Sequence, residues 1–190
     1  PAINPDPKRQ IEVAVAEAAR KKMDAEAYVQ LGRTVSVRVF GGSVESVSVA
    51  EPRGIGLRAV SEGRTGYAFS TDLSDHGISM LVERVKSAME AADPDPYGDL
   101  PTMEGRNYAR LSGLWRPGVS QASLEDKARL ALAAEAAALA VTGVETVEES
   151  AYEDEEVHVA VASSLGIEAE CEQSQCVVYA MAHAGDGSDR

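Results

Sequence analysis

Apolar residues recur at helical spacing from Lys8 onward, at Ile11, Val15, Ala18, Ala19 and Met23, in a stretch rich in Ala, Glu and Lys that follows Pro5 and Pro7. Positions three and four apart share one face of a helix, so this spacing predicts a first helix over Lys8–Gln30. From Thr34 the period falls to two. Val35, Val37 and Val39 alternate with Ser36, Arg38 and Phe40, Gly41-Gly42 turns the chain, and Val44 to Val49 alternates again. Alternation on both sides of a glycine pair predicts an antiparallel hairpin. Gly54–Gly56 interrupts the pattern, Leu57–Val60 resumes it, Ser61-Glu62-Gly63-Arg64 reads as a tight turn and Thr65–Ser70 as a further strand. The result is a meander of about four short strands. Thr71 and Asp72 can cap a second helix marked by Ile78, Leu81, Val82, Val85, Ala88 and Met89. That helix is expected to end before Asp93-Pro94, because the residue preceding a proline disfavours helical backbone.

Residues 93–122 are punctuated by Pro94, Pro96, Gly98, Pro101, Gly105, Gly113, Pro117 and Gly118. A connection of this length wraps a surface or links two lobes, and burial of the Trp115 ring is expected to anchor it. Ser123, with Asp126 three residues on, resembles a capping box at the start of a third helix, Leu124–Ala140. Beyond Gly143 the alternation returns at Val157, Val159 and Val161, turns at Ser163–Gly166 and resumes over Val177–Met181. The pattern thus divides the chain into a helix–sheet–helix unit over 1–92, a linker over 93–122 and a helix–sheet unit over 123–190. Gly54-Ile55 and Gly166-Ile167, Tyr67-Ala68 and Tyr179-Ala180, and the pairs Val47/Val49 and Val159/Val161 fall at one constant offset, which reads either as a duplicated unit or as two unrelated meanders. The fold class expected is α/β of the α+β type: two helix-plus-antiparallel-meander units with helices packed on a mixed or antiparallel sheet. One sheet face is then free, and a free, partly apolar face calls for another domain or subunit.

The chain's 190 residues, 44% of them hydrophobic and 26% charged, suit one sizeable domain or two small lobes. Aromatics make up only 5%, so Val, Ala, Leu and Ile must fill the core. The net charge of -13 arises from 31 acidic against 18 basic residues, with the densest acidic run at Glu145, Glu148, Glu149, Glu153, Asp154, Glu155 and Glu156. Such a surface repels phosphate backbones, which argues against direct nucleic-acid binding, and the run reads as a solvated face. The chain has no apolar run of about eighteen residues, and Pro1–Arg9 lacks the apolar region of a secretory signal. No membrane association and a cytoplasmic location are therefore expected.

Candidate chemistry is sparse. The three histidines, His76, His158 and His183, stand in no HExxH or HExxxH pattern, so no ligand pair at helical spacing exists. His76 at a helix start reads as a surface or capping residue. His158 has Glu155 and Glu156 as neighbours for a metal. His183 could pair with Cys171 or Cys176, but five residues apart on one regular strand the two thiols point to opposite faces. Their spacing is neither a redox CxxC nor a zinc framework. The glycines Gly41, Gly42, Gly54, Gly56, Gly63 and Gly66 match no nucleotide-binding motif, and Gly185-Asp186-Gly187-Ser188-Asp189 reads as a polar linker rather than a calcium loop. No catalytic, cofactor-binding or metal residue is assigned.

One ordered set of segments carries a resemblance. Asp24-Ala25-Glu26-Ala27-Tyr28-Val29, Val35-Ser36-Val37-Arg38-Val39 and Gly42-Ser43-Val44-Glu45-Ser46 are followed by Arg53-Gly54-Ile55-Gly56-Leu57-Arg58-Ala59-Val60, Gly63-Arg64-Thr65-Gly66-Tyr67-Ala68 and Thr71-Asp72-Leu73-Ser74. Asp93-Pro94-Asp95-Pro96, Leu100-Pro101 and Ala162-Ser163-Ser164-Leu165-Gly166 continue the series. Together they resemble the N-terminal domain of TldD/PmbA proteins, also known as modulators of DNA gyrase, from Lys8 to about Asp186. The resemblance implies an N-terminal α/β domain of a longer bacterial protein, followed by a β-rich domain. In the TldD branch that later domain carries a HExxxH zinc peptidase centre, in which metal activates water and a glutamate acts as base; the PmbA branch lacks the motif. For this chain the resemblance implies no peptidase activity on its own, zinc only in a full-length TldD-type protein, a homologous subunit in a homo- or heterodimer, and peptide or unfolded protein as substrate. The alternative it leaves open is a noncatalytic scaffold or partner-binding domain of the PmbA type.

Overall fold

The structure, a computed structural model, describes residues 6–103 and 111–185. In chain order the elements are α1 (Pro7–Arg20), β1 (Asp24–Phe40), β2 (Ser43–Ala50), β3 (Arg53–Ser61), β4 (Arg64–Ser70), α2 (Asp75–Ala91), α3 (Pro117–Gln121), α4 (Leu124–Leu139), β5 (Val144–Ser163) and β6 (Glu168–Ala184). The fold is α+β: among the described residues, four helices accompany a six-stranded antiparallel sheet of order β4-β3-β1-β5-β6, in which β2 also pairs with β1. Contacts divide the chain into two interleaved units, one of 1–31, 52–111 and 158–172, the other of 32–51, 112–157 and 173–190.

In the first unit, Asp6 caps α1 by accepting the Lys8 N–H at 3.0 Å, and Pro7 fills the first turn, where no N–H is needed. The helix buries Ile11, Ala14 and Ala18. It is shorter than its period predicts. The N–H groups of Lys21 and Met23 both return to the Ala18 carbonyl, Lys22 takes φ 60°, and the chain leaves the helix. Asp24–Gln30, expected within the first helix, is instead the opening of β1. There Ala25, Ala27 and Val29 alternate inward and pair with Ala59, Leu57 and Ile55 of β3. The glycines Gly54 and Gly56 do not interrupt β3, which runs straight through them. Gly56 gives room to the Tyr67 hydroxyl, 3.1 Å from where a Cβ would stand.

Helix α2 is capped by Ser74, whose hydroxyl accepts the Gly77 N–H at 3.1 Å, while Asp72, expected as a cap, accepts the Ser74 N–H in the turn before it. That bond holds the Asp72 carboxyl below its ordinary value. α2 buries Ile78, Leu81, Val82, Val85 and Met89 against the same sheet face as α1. At Gly66 a Cβ would collide with the Val85 carbonyl, so glycine sets how closely β4 approaches the helix. The outer face of this sheet carries exposed Tyr28, Tyr67 and Phe69. The segment after α2 wraps this unit: the Asp95 N–H reaches the Gly63 carbonyl at 2.7 Å, and Arg58 donates to the Gly98 carbonyl at 2.9 Å.

In the second unit, the hairpin of β1 and β2 runs Thr34↔Ala50 to Phe40↔Ser43, with a register shift at Arg38/Val39. Gly41 and Gly42 turn it with φ of 60° and 76°. Helix α4 begins as predicted at Ser123, whose hydroxyl accepts the Asp126 N–H at 3.1 Å. Its Ala131 packs with Val39 and Tyr152. The offset pairs in the sequence do not occupy equivalent places: Gly54 lies within β3, whereas Gly166 turns β5 into β6 with φ 89°. Trp115 remains 38% exposed, so its ring is no buried anchor. Its segment is held instead by Ser174, whose N–H donates to the Leu114 carbonyl and whose hydroxyl accepts the Arg116 N–H.

Candidate functional site

The positions that α4 buries, Lys127, Ala131 and Glu135, recur every four residues, yet two of the three are charged. An apolar stripe usually fills such a face, so each charge must meet a built partner. Glu135 accepts the N–H of Gly41 at 2.8 Å and of Gly42 at 2.9 Å, one on each carboxylate oxygen, and thereby ties the hairpin tip to α4. Lys127, 1% exposed, places Nζ 2.5 Å from Oδ2 of Asp154, itself 4% exposed, and 5.6 Å from the centre of the Tyr152 ring. The contact lies outside hydrogen-bond angles, so both Asp154 oxygens lack a directed donor and the pair is chiefly ionic. The strand period explains the grouping: on β5, Ser150, Tyr152 and Asp154 share the face beneath α4. Asp154 is thus a buried member of the acidic run that otherwise reads as solvated.

A cavity of about 500 Å³ opens at this point, lined by Thr34–Ser36 of β1, Glu153–Glu155 of β5 and Gln175–Val177 of β6. Asp154 and Cys176 contribute to its wall, and the Tyr152 phenol approaches both. Burial, and then the nearby Asp154 carboxylate, raise the Tyr152 phenol well above its ordinary value of 10.0. Tyr152 is therefore neutral at physiological pH. On the other sheet face Tyr179 donates to Glu149 at 2.9 Å, which also raises its phenol, and Arg38 pairs with Glu149 at 3.2 Å. Two carboxylates beside a buried one favour cationic or donor-rich groups in the cavity.

The residues weighed from sequence lie apart. His76 is exposed at the start of α2. His158 meets Glu172 at 3.4 Å and Glu170 at 3.7 Å, on the neighbouring strand rather than at Glu155 or Glu156. His183 contacts Glu148 at 2.7 Å, not a cysteine. Cys171 and Cys176 are free, exposed thiols. Beyond Gly185 the polar end lies outside the described residues. Among the described residues no three His, Cys, Asp or Glu side chains are grouped to hold a metal, and each histidine that meets carboxylates does so in a separate place. This donor set does not fit a zinc centre. No helix among the described residues is long and apolar enough to cross a membrane. Sequence reasoning missed Lys127, Tyr152, Asp154 and Glu135; the available signal was a Lys and a Glu eight residues apart on one face of an otherwise Ala- and Leu-rich helix.

Two family descriptions match in order: PmbA/TldA metallopeptidase domain 1 over residues 25–92, and the PmbA/TldA metallopeptidase central domain over 117–190. No curated protein matches the chain. Among solved structures, the fold is similar to a protein described as a modulator of DNA gyrase from Bacteroides thetaiotaomicron, at TM-score 0.84 and 17% identity, over 96% of this chain and 42% of that one. A protein with the same description from Thermotoga maritima matches at TM-score 0.79 and 18% identity, over 95% and 40%. TldE from Thermococcus kodakarensis matches at 0.81 and 15%, over 94% and 40%. The chain spans about two-fifths of the length of these structures. With two successive domains of one family matched along most of its length, on the fold those structures share, the chain belongs to the PmbA/TldD metallopeptidase family.

Proposed function

We propose that this chain is the N-terminal part of a TldD/PmbA-type zinc metallopeptidase subunit, and that it shapes the substrate cleft or the subunit interface in proteolysis rather than performing the chemistry. The observation that carries the reading is the ordered match of domain 1 and the central domain. In this reading residues 1–92 and 123–190 act as its two structural segments, joined by 93–122, and the partner is a homologous subunit in a homo- or heterodimer. The substrate is peptide or unfolded protein, the setting is the bacterial cytoplasm, and zinc belongs to a catalytic domain of the full-length protein. The second reading is a noncatalytic scaffold or partner-binding domain of the PmbA type, in which the full-length protein lacks the metal motif.

Incubation of the purified chain with an unfolded, quenched-fluorescence peptide and zinc tests the shared element of both readings. No turnover is expected, and zinc-dependent cleavage by the chain alone would place the catalytic centre within it. Adding zinc and the same peptide to the full-length gene product separates the two: cleavage supports the peptidase reading, and inactivity supports the scaffold.

A further inference from the structure

Strand β6 ends the sheet order, so one of its edges faces β5 and the other has no strand beside it among the described residues. The hydrogen-bond phase of the hairpin fixes which backbone groups lie on that open edge. The Ser163 N–H donates to the Ile167 carbonyl at the β5–β6 turn, so odd-numbered residues of β6 face β5 and even-numbered ones face away. The Ser174 N–H, donated outward to the Leu114 carbonyl at 2.9 Å, agrees with this phase. Past Ser174 the N–H and C=O groups of Cys176, Val178, Ala180 and Ala182 therefore stand along the edge, and no strand among the described residues takes them.

An edge of this kind is normally blunted by lysine, proline or a bulge. From Gln173 to Ala182 the strand carries no charge and no proline, and Val177, Val178 and Met181 remain 49%, 39% and 52% exposed. One strand further in, Glu153 and Glu155 lie on the face shared with Gln175 and Tyr179, within a chain of net charge -13. We propose that the open edge of β6 accepts an extended polypeptide segment as an added antiparallel strand, and that the segment it fits carries lysine or arginine at alternate positions. A guest strand would lie about 4.8 Å from β6 and about 10 Å from β5. A long basic side chain spans that gap by laying its methylenes over Val177 and bringing its charge to Glu153 or Glu155. Main-chain bonding supplies the attachment and the carboxylates the selectivity, a division common in strand addition. A second copy of this chain fits less well, because it brings the same negative charge. The inference stands on the geometry of this edge alone and does not depend on the peptidase reading.

The test is fluorescence anisotropy with labelled ten-residue peptides on the purified chain: one alternating Lys and Val, one alternating Glu and Val, and a Lys/Val peptide N-methylated on the amides of one edge. The expected result is saturable binding of the first, weakened more than tenfold by N-methylation and weakened by added salt, with no binding of the acidic peptide. N-methylation alters no protein residue, so misfolding cannot mimic its effect. Ala180→Pro, which removes an outward N–H at a position where an edge tolerates proline, is expected to lose binding to the same degree. Equal binding of the N-methylated peptide would reduce the effect to surface charge and overturn the proposal. So would equal binding of both charge types, absence of binding, or concentration-dependent dimerisation that Ala180→Pro abolishes and that blocks the peptide.

Discussion

Lys127 and Asp154 are a buried ion pair on a helix and a strand, and the energetics of such pairs are asymmetric. Removing one partner leaves an uncompensated charge in a poorly polar site, whereas replacing both with apolar side chains of similar volume can be neutral. Lys127→Met is therefore expected to cost about 3–5 kcal/mol, read as a lower urea midpoint, and the double variant Lys127→Met/Asp154→Leu is expected to recover most of that loss. A double variant as unstable as the single one would mean that the pair is not the relevant interaction. Tyr152 belongs to the same network. Its phenol, like that of Tyr179, is raised above the ordinary 10.0 in the folded chain. The unfolded chain thus releases these protons near pH 10 while the folded chain still holds them. Their contribution is complete below that pH and is lost as pH rises above it. Denaturation midpoints are expected to fall above pH 10, less steeply in Tyr152→Phe, and a parallel decline in both proteins would remove Tyr152 as the cause.

Single elements in this fold depend on contacts that their own sequences do not announce. The tip of the β1–β2 hairpin turns on Gly41-Gly42, as its pattern predicts, but its two N–H groups are satisfied by Glu135 from a helix far along the chain. Glu135→Ala is expected to cost about 1–3 kcal/mol, the worth of hydrogen bonds to a charged acceptor, and to raise amide exchange at Gly41 and Gly42 selectively. Unchanged exchange there would show that the carboxylate does not hold the turn. Gly66→Ala drives a methyl group into the backbone of α2 at Val85. A loss of about 1–3 kcal/mol follows from overpacking of this kind, checked by thermal denaturation against Gly118→Ala, where a Cβ meets nothing within 4 Å. The same dependence on context explains what was legible. α2 and α4 have clear apolar periods and caps, and both appear within a few residues of their predicted bounds. The first half of β1 reads as helix because Ala, Glu and Gln favour helices locally; pairing with β3 and burial of Ala25, Ala27 and Val29 override that preference.

At the scale of the whole chain, charge is the property that sequence reads most directly, since it needs only a count. With a net charge of -13, the chain is not expected to retard duplex DNA in a gel-shift assay at low salt, where electrostatic attachment is strongest. A salt-sensitive shift at micromolar protein would reveal a basic surface that the count conceals. The α+β class, the hairpins and the helix starts also follow from the sequence, because period, glycine turns and caps act over a few residues. Family membership could be read there too, since an ordered series of short segments survives as a pattern. Which charges are buried could not be read. Lys127, Tyr152 and Asp154 come from a helix and a strand far apart in the chain, and only the faces that these two elements turn inward bring them together. The open edge of β6 was equally hidden. A run of uncharged alternating residues reads alike in a central strand and an outer one, and strand order, which depends on pairings between distant segments, is decided by the tertiary structure.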